Sequence, residues 1–471
     1  MDGIDPDRLV AALSVLAEAE QLPAEHPDAV AVRRATGRLF KAVKEQRRAE
    51  RRAAILADDR AVTAATATGA PGRIDDETRG LPLTSRATGT HAGTLRRARA
   101  CYVCKRRYRR VDAFYHQLCP ECAALHHERR DARTDLRGRR ALLTGGRAKI
   151  GMYIALRLLR DGAHTTITTR FPHDAIRRFT AMEDSADWID RLRVVGIDLR
   201  DPGQVIALAD DVAARGPLDI LINNAAQTVR RSPEAYSHLT ASEREPLPSG
   251  PLPELLVLGR GPDATSPSLG EGQWSAMPQA LAALALTSGS ASAERVAAGT
   301  AIDAGGLAPD LHPHNSWSQV VGEVDPVELL EVQLCNQTAP FILVSRLRPA
   351  LTRVDGRSFV VNVSAMEGQF SRGYKGPGHP HTNMAKAALN MLTRTSAGEL
   401  LSDGILMTSV DTGWITDERP HPTKRRLADA GFHAPLDLVD GAARVYDPIV
   451  RGEAGEDLHG VFLKDFRVSP W

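Results

Sequence analysis

The sequence predicts an α/β fold built on a doubly wound parallel sheet, preceded by an N-terminal helical region and a small cysteine-rich module. From about residue 139 onwards, short runs of β-branched residues alternate with amphipathic segments that have helical spacing. Such alternation is typical of a parallel sheet with helices on both faces. Before this region, four of the five cysteines of the chain fall into two close pairs. The 471 residues and 42% hydrophobic content are enough for several structural units and a sizeable core.

We expect four regions along the chain. Residues 1–60 contain apolar residues at three- and four-residue spacing and strong helix formers, which predicts two or three helices. Residues 61–98 are rich in Ala, Thr, Gly, Ser and Pro, which is typical of a flexible linker. A cysteine module is expected at 99–135, and the sheet domain at 136–471. The sheet domain includes a Pro-, Gly- and Ser-rich insertion at about 229–325, which is long enough to be a lid, a substrate-side subdomain or an oligomer contact.

The charge of the chain is nearly balanced overall and uneven along its length. The net charge is +2, which argues against a protein devoted to polyanions. Residues 41–140, however, hold 24 Lys and Arg against 12 Asp and Glu. Within them, KEQRRAERR is either a solvated helix face or a nucleic-acid contact. KRRYRR is either a basic surface that docks on the acidic domain or on a partner, or a nucleic-acid contact. We favour the first interpretation of each, so nucleic acid is possible but not favoured.

The N-terminus predicts neither export nor membrane insertion. MDGIDPDRLV has early acidic residues and no apolar core, and no run of eighteen apolar residues occurs in the chain. We therefore expect a cytoplasmic location and no membrane partner.

The cysteine pairs predict a structural zinc site. Cys101 and Cys104 are followed by fourteen residues and then by Cys119 and Cys122. Two pairs with this spacing can bring four thiolates to the corners of a tetrahedron around Zn²⁺, and four thiolates leave no open position for catalysis. A redox-active dithiol is the competing interpretation.

A glycine-bearing turn lies between the first sheet strand and the next helix. In ALLTGGRAKIG, backbone N–H groups and the helix N-terminus could bind a pyrophosphate. The motifs ITTR, GIDLRD and INNAAQ follow in that order. Together these four motifs resemble the short-chain dehydrogenase/reductase family over residues 137–471. The resemblance implies a Rossmann fold, a bound dinucleotide, hydride transfer and a homo-oligomer, either a dimer or a tetramer.

The resemblance also implies the coenzyme contacts. Lys149 stands where the family usually has a middle glycine, and some NADPH-using members also carry a basic residue there. The second strand ends in Thr169 and Arg170 without an acid, so Arg170 and Arg147 would pair with a 2′-phosphate, which favours NADP(H) over NAD. The implied coenzyme-binding residues are Thr144, Gly145, Arg147, Lys149, Ile150, Gly151, Thr169, Arg170, Asp198, Leu199, Asn224, Ala225, Ala226, Lys386, Gly413 and Thr416.

The catalytic residues of the family are matched in part. Ser364, Asn336 and Lys386 occupy the positions of the family serine, asparagine and lysine, but Thr382 stands where the proton-donating tyrosine is usual. A threonine hydroxyl is too weak an acid to replace a phenol unaided. Either Tyr374 folds back into the site, or His381 acts through a water with Thr382 as a relay. Otherwise the site donates no proton.

Two functions follow. The first is an NADP(H)-dependent oxidoreductase that reduces a small carbonyl, enoyl or imine substrate. The alternative is a catalytically silent NADP(H)-binding protein whose zinc module and basic N-terminal part engage a protein or nucleic-acid partner.

Overall fold

The computed structural model describes residues 3–71, 73, 83–231, 233–258, 312–353, 356–373, 375–416 and 418–471. Its helices are α1 (Pro6–Gln21), α2 (Pro27–Ala64), α3 (Pro120–Arg130), α4 (Lys149–Arg160), α5 (Pro172–Thr180), α6 (Pro202–Ala214), α7 (Pro233–Ser242), α8 (Pro326–Gln333), α9 (Ala339–Leu351), α10 (Pro380–Leu401), α11 (His421–Asp429) and α12 (Leu438–Glu453). Its strands are β1 (His91–Ala100), β2 (Arg107–Asp112), β3 (Arg140–Leu143), β4 (His164–Thr169), β5 (Leu192–Gly196), β6 (Ile220–Asn223), β7 (Glu254–Val257), β8 (Ser358–Ser364), β9 (Ile405–Asp411), β10 (Phe462–Lys464) and β11 (Arg467–Ser469).

The main sheet confirms the predicted fold class. Its strand order is β11-β10-β9-β8-β6-β3-β4-β5-β7 among the described residues. Every neighbouring pair is parallel except β10 and β11, which are antiparallel. The order reverses direction between β3 and β6, which is where a doubly wound sheet opens a crevice at the carboxyl ends of its strands.

Two apolar cores cover the two faces of this sheet. Phe359, Val361 and Val363 of β8 belong to one core, whereas Val360 belongs to the other. This division follows from the two-residue period of a strand. Helices α4 and α12 pack on the first face, and α6 and α9 pack on the second. Because both faces are covered, the central strands are buried and rich in apolar residues. Such apolar runs can be recognised as strands in the sequence.

The predicted insertion contributes a strand to the sheet. Glu254–Val257 pairs in parallel with Arg193–Gly196 and forms β7 at one edge. This strand was not expected within 229–325, because four residues are too few to reveal a strand by periodicity. The part of the insertion at 259–311 lies outside the described residues.

The predicted linker at 61–98 is shorter than expected. Helix α2 continues to Ala64, and β1 already begins at His91. Arg73 anchors the intervening segment, because its guanidinium donates hydrogen bonds to the backbone carbonyls of Ala434 (2.9 Å) and Leu436 (2.5 Å). Residues 72 and 74–82 of this predicted linker lie outside the described part of the chain.

The cysteine module consists of the β1–β2 hairpin and α3, which begins directly after Cys119. It rests on the N-terminal half of α12. The Tyr115 hydroxyl donates to Asp440 (2.6 Å), and Arg130 bonds Asp437 (2.6 Å). Arg130 of α3 therefore supplies positive charge at this contact. Arg107 and Arg110 of the KRRYRR stretch are exposed instead.

The N-terminal hairpin projects from the molecule. Helices α1 and α2 contact each other near the turn, where Ala19 and Ala29 are buried. At its other end, α2 is tied to β1 through Asp59, which accepts from the backbone N–H groups of Arg96 (2.6 Å) and Arg97 (3.2 Å). Among the described helices, none combines the length and apolar composition that crossing a bilayer requires.

Candidate functional site

A cavity of about 1390 Å³ lies at the carboxyl ends of the sheet strands. Its wall includes the turn after β3, the ends of β4, β8 and β9, the beginning of α4 and part of the cysteine module. This is the position at which open α/β sheets bind their ligands. The volume is ample for a dinucleotide together with a small second molecule.

The turn after β3 has the geometry of a phosphate-binding loop. Gly145 has a φ of +72°, and Lys149 at the start of α4 has a φ of +53°. A Cβ on Gly151 would lie 1.9 Å from the carbonyl oxygen of Gly145, so the helix and the turn can approach only through a glycine. Lys149 adopts the left-handed conformation that glycine adopts most easily, at a cost on the order of 1 kcal/mol. The family glycine is therefore replaced without a change in backbone path.

The segment after β6 is tied to this turn. The Asn224 side-chain amide donates to the carbonyl oxygens of Thr144 (3.0 Å) and Gly145 (3.1 Å). The Thr144 hydroxyl accepts from the backbone N–H groups of Asn224 and Ala225, both at 3.0 Å. Ala226 and Ile150 also line the cavity. The predicted coenzyme residues of β3 and β6 thus form one hydrogen-bonded unit.

Two arginines lie at the ends of β3 and β4. Arg147 bonds Asp174 at 2.5 Å. The Arg170 guanidinium lies over the ring of Tyr236 (5.0 Å) and donates to its hydroxyl (3.2 Å). Thr169 accepts from a backbone N–H with its side chain. Among the described residues, Arg170 forms no ion pair, so its guanidinium can take an anion in the cavity.

Asp198 and Leu199 line the cavity beyond β5. Asp198 is paired with Arg200 (2.6 Å), and Arg200 also bonds Glu331 (2.6 Å). Burial alone would raise the pKa of Asp198, but the hydrogen bonds and charge of Arg200 outweigh it, and the pKa is lowered. The carboxylate is therefore ionised and fixed in direction.

Ser364 and Lys386 both line the cavity. Ser364 ends β8, and its hydroxyl is buried without a hydrogen-bond partner in the described chain. The Lys386 ammonium donates to the carbonyl oxygen of Val363 (2.8 Å). Burial lowers the pKa of Lys386 from 10.5 to about 8. Lys386 and Ser364 therefore keep N–H and O–H groups that can donate hydrogen bonds to a bound molecule.

Asn336 has a structural position next to this site. It lies in a π-helical turn at Leu334–Thr338, between α8 and α9. Its side chain accepts from the backbone N–H of Gln227 (2.7 Å) and donates to the carbonyl of the same residue (3.0 Å). Asn336 therefore holds the segment after β6, and its side chain is not part of the cavity wall.

Two of the three candidates for the missing proton donor do not line the cavity. Thr382 and His381 are each 1% exposed, on the buried side of α10, and neither lines the cavity. The Thr382 hydroxyl has no hydrogen-bond partner among the described residues, and the nearest acid to His381 is Glu328, at 3.6 Å. Tyr374 lies outside the described residues.

Sequence reasoning missed several cavity residues. Asp411, at the end of β9, is in register with Ser364 and bonds Lys464 (2.9 Å). Glu367 follows Ser364 in a short helical turn. Tyr102, between the first two cysteines, accepts a hydrogen bond from the backbone N–H of Trp414 (2.9 Å), and burial raises its pKa. The position of Asp411 at the end of a strand could have identified it as a candidate. No local sequence pattern, however, predicts that the cysteine module lies beside the sheet.

The segment after β9 forms the remaining wall. Gly413 has a φ of +76°, and its N–H donates to Asp411 (2.8 Å). The Thr416 hydroxyl donates to Glu418 (3.0 Å). A Cβ on Gly413 would lie 2.6 Å from Leu436, so this turn is closely packed on the segment that supports the cysteine module.

The four predicted metal ligands come together. The sulfur atoms of Cys101, Cys104, Cys119 and Cys122 lie within 4.8 Å of one another, and those of Cys104 and Cys119 are 3.6 Å apart. Zn–S bonds of about 2.3 Å give tetrahedral sulfur separations of roughly 3.8 Å. The donor set and spacing therefore fit zinc, and the backbone N–H of Cys119 supports the Cys101 sulfur (3.3 Å).

The fold and the cavity together place the chain in the class of doubly wound α/β proteins with a glycine turn facing the strand ends. A family profile described as short chain dehydrogenase matches residues 139–244. An uncharacterised protein of Acanthamoeba polyphaga mimivirus is 31% identical over 363 residues, covering 74% of this chain and 71% of the viral protein. The chain belongs to the short-chain dehydrogenase/reductase family.

Two further proteins are similar over smaller parts or at lower identity. A probable oxidoreductase of Streptomyces lividans is 41% identical over 91 residues, which cover 19% of this chain and 29% of that protein. A short-chain dehydrogenase from Burkholderia cenocepacia, solved in complex with NADP, is 21% identical and has a TM-score of 0.44. That comparison covers 70% of this chain and 97% of the solved one.

Proposed function

We propose that this chain is an NADP(H)-dependent oxidoreductase that transfers hydride to a small carbonyl, enoyl or imine substrate. The observation that carries the proposal is one cavity that holds both the glycine turn at Gly145 and the pair Ser364 and Lys386. A dinucleotide whose phosphates rest on that turn would extend along the strand ends towards the pair. Family membership and the similarity to a probable oxidoreductase support the same activity.

In this reaction we assign a separate role to each group of residues. A bound nicotinamide coenzyme would supply the hydride. The turn at Gly145 would bind the phosphates through backbone N–H groups, and Lys386 would donate its remaining hydrogens to ribose hydroxyls. The unpartnered Ser364 hydroxyl would donate to the substrate oxygen and hold it near the coenzyme. Gly413 and Thr416 would cover the nicotinamide from the segment after β9.

The preference for NADP(H) rests on Arg170. No acid ends β4, and in the described chain the Arg170 guanidinium lies over the rings of Tyr236 and Phe171, donates to the Tyr236 hydroxyl and forms no ion pair. A 2′-phosphate placed there would gain a charge-assisted hydrogen bond worth about 1.5–3 kcal/mol. Arg147 would support it from the same side.

Calorimetry with both coenzymes tests this assignment. Arg170→Ala should weaken NADPH binding by roughly 10- to 100-fold and leave NADH binding almost unchanged. Arg160→Ala, which removes a surface arginine paired with Asp184 at the far end of α4, is the control and should change neither. Equal losses for both coenzymes would contradict 2′-phosphate recognition, and absence of binding to the unaltered protein would overturn the proposed function.

We further propose that the cysteine module at about 91–135 binds one structural Zn²⁺ and that the sheet domain spans 136–471. The four thiolates would complete a closed coordination shell, with no position left for substrate. Metal analysis of freshly purified protein should give one zinc per chain. A value well below one would contradict the assignment.

The second candidate function is a silent NADP(H)-binding protein with a macromolecular partner. Two observations favour it: Thr382 replaces the family phenol, and the α1–α2 hairpin exposes apolar and basic side chains. Coenzyme oxidation with a panel of carbonyl, enoyl and imine compounds separates the candidates. Coenzyme binding without turnover across the panel would favour the silent protein.

A further inference from the structure

The cavity contains a carboxyl group that the family resemblance did not suggest. Glu367 lines the cavity three residues after Ser364, within the short helical turn Met366–Gly368. Any reduction of a carbonyl needs a proton for the oxygen as well as a hydride for the carbon. Thr382 and His381 do not line the cavity, so within the described part of the chain the candidate proton donors are among the residues that do.

The backbone of this turn is fixed against the helix that carries Lys386. A Cβ on Gly368 would lie 2.6 Å from the carbonyl carbon and oxygen of Lys386, so only a glycine permits this approach. The Asn390 side chain donates to the Gly368 carbonyl (3.1 Å), and the Lys375 ammonium donates to the Met366 carbonyl (2.9 Å). The turn that carries Glu367 is thus held against α10 at Lys386.

The side chain of Glu367 is available for a bound molecule. Its carboxyl group accepts from its own backbone N–H, and no hydrogen bond or ion pair joins it to another described residue. Its backbone carbonyl is bonded by Lys375. The charged groups around it are Asp411 and Lys464 at the strand ends, Lys386 on α10, and Arg372 and Lys375 on the loop before α10.

The surroundings shift Glu367 towards its acid form. Burial, followed by repulsion from Asp411, raises the pKa of Glu367, and Lys375 and Arg372 offset this only in part. A carboxyl group with a raised pKa keeps its proton to higher pH and is better suited to general acid catalysis. Tyr102 is less suited to this role, because burial raises its pKa far above the working range and its hydroxyl is engaged with Trp414.

We propose that Glu367 is the proton donor of this site and replaces the phenol that the family usually has. The inference rests on the proposed oxidoreductase function. Hydride, carrying its electron pair, would leave C4 of the reduced nicotinamide and form a C–H bond at the substrate carbon. The electron pair of the C=O or C=N double bond would move to oxygen or nitrogen, which takes the proton of the Glu367 carboxyl. Oxidised coenzyme, reduced substrate and a Glu367 carboxylate remain, and solvent returns the proton through the open cavity.

Stopped-flow measurement of NADPH oxidation with Glu367→Gln and Glu367→Asp tests the proposal on the full chain. Glu367→Gln keeps the shape but has no acidic proton, so kcat should fall about 10²- to 10⁴-fold, the usual range for a general acid. The decline in kcat at high pH, which reflects loss of the Glu367 proton, should disappear. Calorimetric NADPH affinity should stay within about threefold, and Glu367→Asp should recover part of the rate. Glu399→Gln, an exposed glutamate of α10 paired with Arg348, is the control and should leave rate and pH profile unchanged.

A second readout does not depend on turnover. The infrared difference between the unaltered protein and Glu367→Gln, both with NADPH bound at pH 7, should contain a carboxylic acid C=O band. A carboxylate band alone at that pH would overturn the proposal, as would Glu367→Gln with an unchanged rate and pH profile. If the unaltered protein binds NADPH but reduces no substrate class, the proposed function fails and the donor role fails with it. Normal reduction by the glutamine variant overturns the donor role alone.

Discussion

At the scale of single residues, the absence of a Cβ at Gly151 allows the first turn of α4 to pack against the turn after β3. The first turn of α4 lies directly against the carbonyl of Gly145, at a distance that no side chain fits. Lys149, two residues earlier, has a positive φ and lines the cavity. The family pattern can therefore change at one position of the turn and not at the other.

Gly151→Ala should abolish coenzyme binding and destabilise the protein. The added methyl group would displace the backbone of the turn, which we expect to cost about 2–4 kcal/mol of the free energy of unfolding. Urea denaturation and calorimetry with NADPH measure the two effects. Gly37→Ala is the matched control, because Gly37 lies on exposed α2 with nothing within 4 Å, and the change should be neutral or slightly stabilising. Unimpaired NADPH binding by Gly151→Ala would contradict the role of the turn.

Lys386 should make stability depend on pH. Its pKa is lowered from 10.5 to about 8, so the folded protein holds this proton less tightly than the unfolded chain does. Below about pH 8 the full cost of the buried ammonium is present, and the cost disappears as the pH rises to 10.5. Lys386→Met should therefore raise the free energy of unfolding at pH 7 by up to about 3 kcal/mol, with a gain that shrinks between pH 8 and 10.5.

Urea denaturation at pH 7, 8, 9 and 10 provides the measurement. The control is Lys44→Met, at an exposed position on α2, which should change the free energy of unfolding by less than about 0.5 kcal/mol. A gain from Lys386→Met that stays constant over this pH range would contradict the lowered pKa. The same variant should lose reductase activity, which is the usual cost of removing a strained functional group.

At the scale of elements, the sequence was most informative where periodicity and burial agree. The strands β3, β6, β8 and β9 are buried because helices cover both faces. The apolar runs of β3, β6 and β8 could therefore be recognised in the sequence. Strand β7 is half exposed and only four residues long, and half of the residues of β1 are polar. Strand β7 pairs with β5, which is distant in the sequence, and β1 pairs with β2 across the cysteine turn. A short window of sequence does not contain the information that sets these pairings.

The α1–α2 hairpin exposes apolar side chains over much of its length, although the end of α2 is tied to β1. Leu9, Val10 and Leu13 of α1 are 45%, 67% and 57% exposed, and Leu39 and Phe40 of α2 are 65% and 68% exposed. A long projecting helix gains little stability in water from its own hydrogen bonds. Helix α1 is mainly acidic, whereas the middle of α2 is mainly basic. We therefore expect a second copy of the chain to cover this surface, with α1 of one copy against α2 of the other.

Phe40→Gln should weaken the association of two copies. Removal of a buried aromatic contact should cost about 1.5–3 kcal/mol per site, which raises the dissociation constant at least tenfold. Light scattering after size-exclusion chromatography, over a range of concentrations, measures this change. Val321→Gln is the control, since Val321 is 83% exposed elsewhere on the surface and its replacement should leave the mass unchanged. A monomeric unaltered protein would refute the expectation.

At the scale of the whole molecule, the cysteine module is part of the cavity wall. Tyr102 bonds Trp414, and Leu118 and Val111 share an apolar cluster with Ile415, Leu436 and Leu438. Two buried ion pairs, between Arg130 and Asp437 and between Arg129 and Asp447, complete the contact. The module thereby fixes the segment that follows β9, which would cover the nicotinamide and the substrate.

Removal of zinc should therefore loosen the cavity as well as the module. We expect amide hydrogen exchange to become at least about tenfold faster in residues 91–130 and also in residues 412–438 after chelation, because each tenfold increase reflects about 1.4 kcal/mol of lost local stability. Strands β3 and β4, which are remote from the contact, serve as an internal control and should keep their protection. Faster exchange confined to 91–130 would show that the module does not support the cavity wall.

The sequence by itself determined the class of fold, and it predicted that the four cysteines come together and that Ser364 and Lys386 share one site. These features depend on periodicity, on spacing within a short segment, or on motifs that keep their order along the chain. The tertiary structure alone decided that Tyr102 reaches Trp414, that Glu367 faces the cavity and that Thr382 and His381 do not. Such contacts depend on the packing of elements up to several hundred residues apart, where burial and shape, rather than local residue preference, determine which side chains meet.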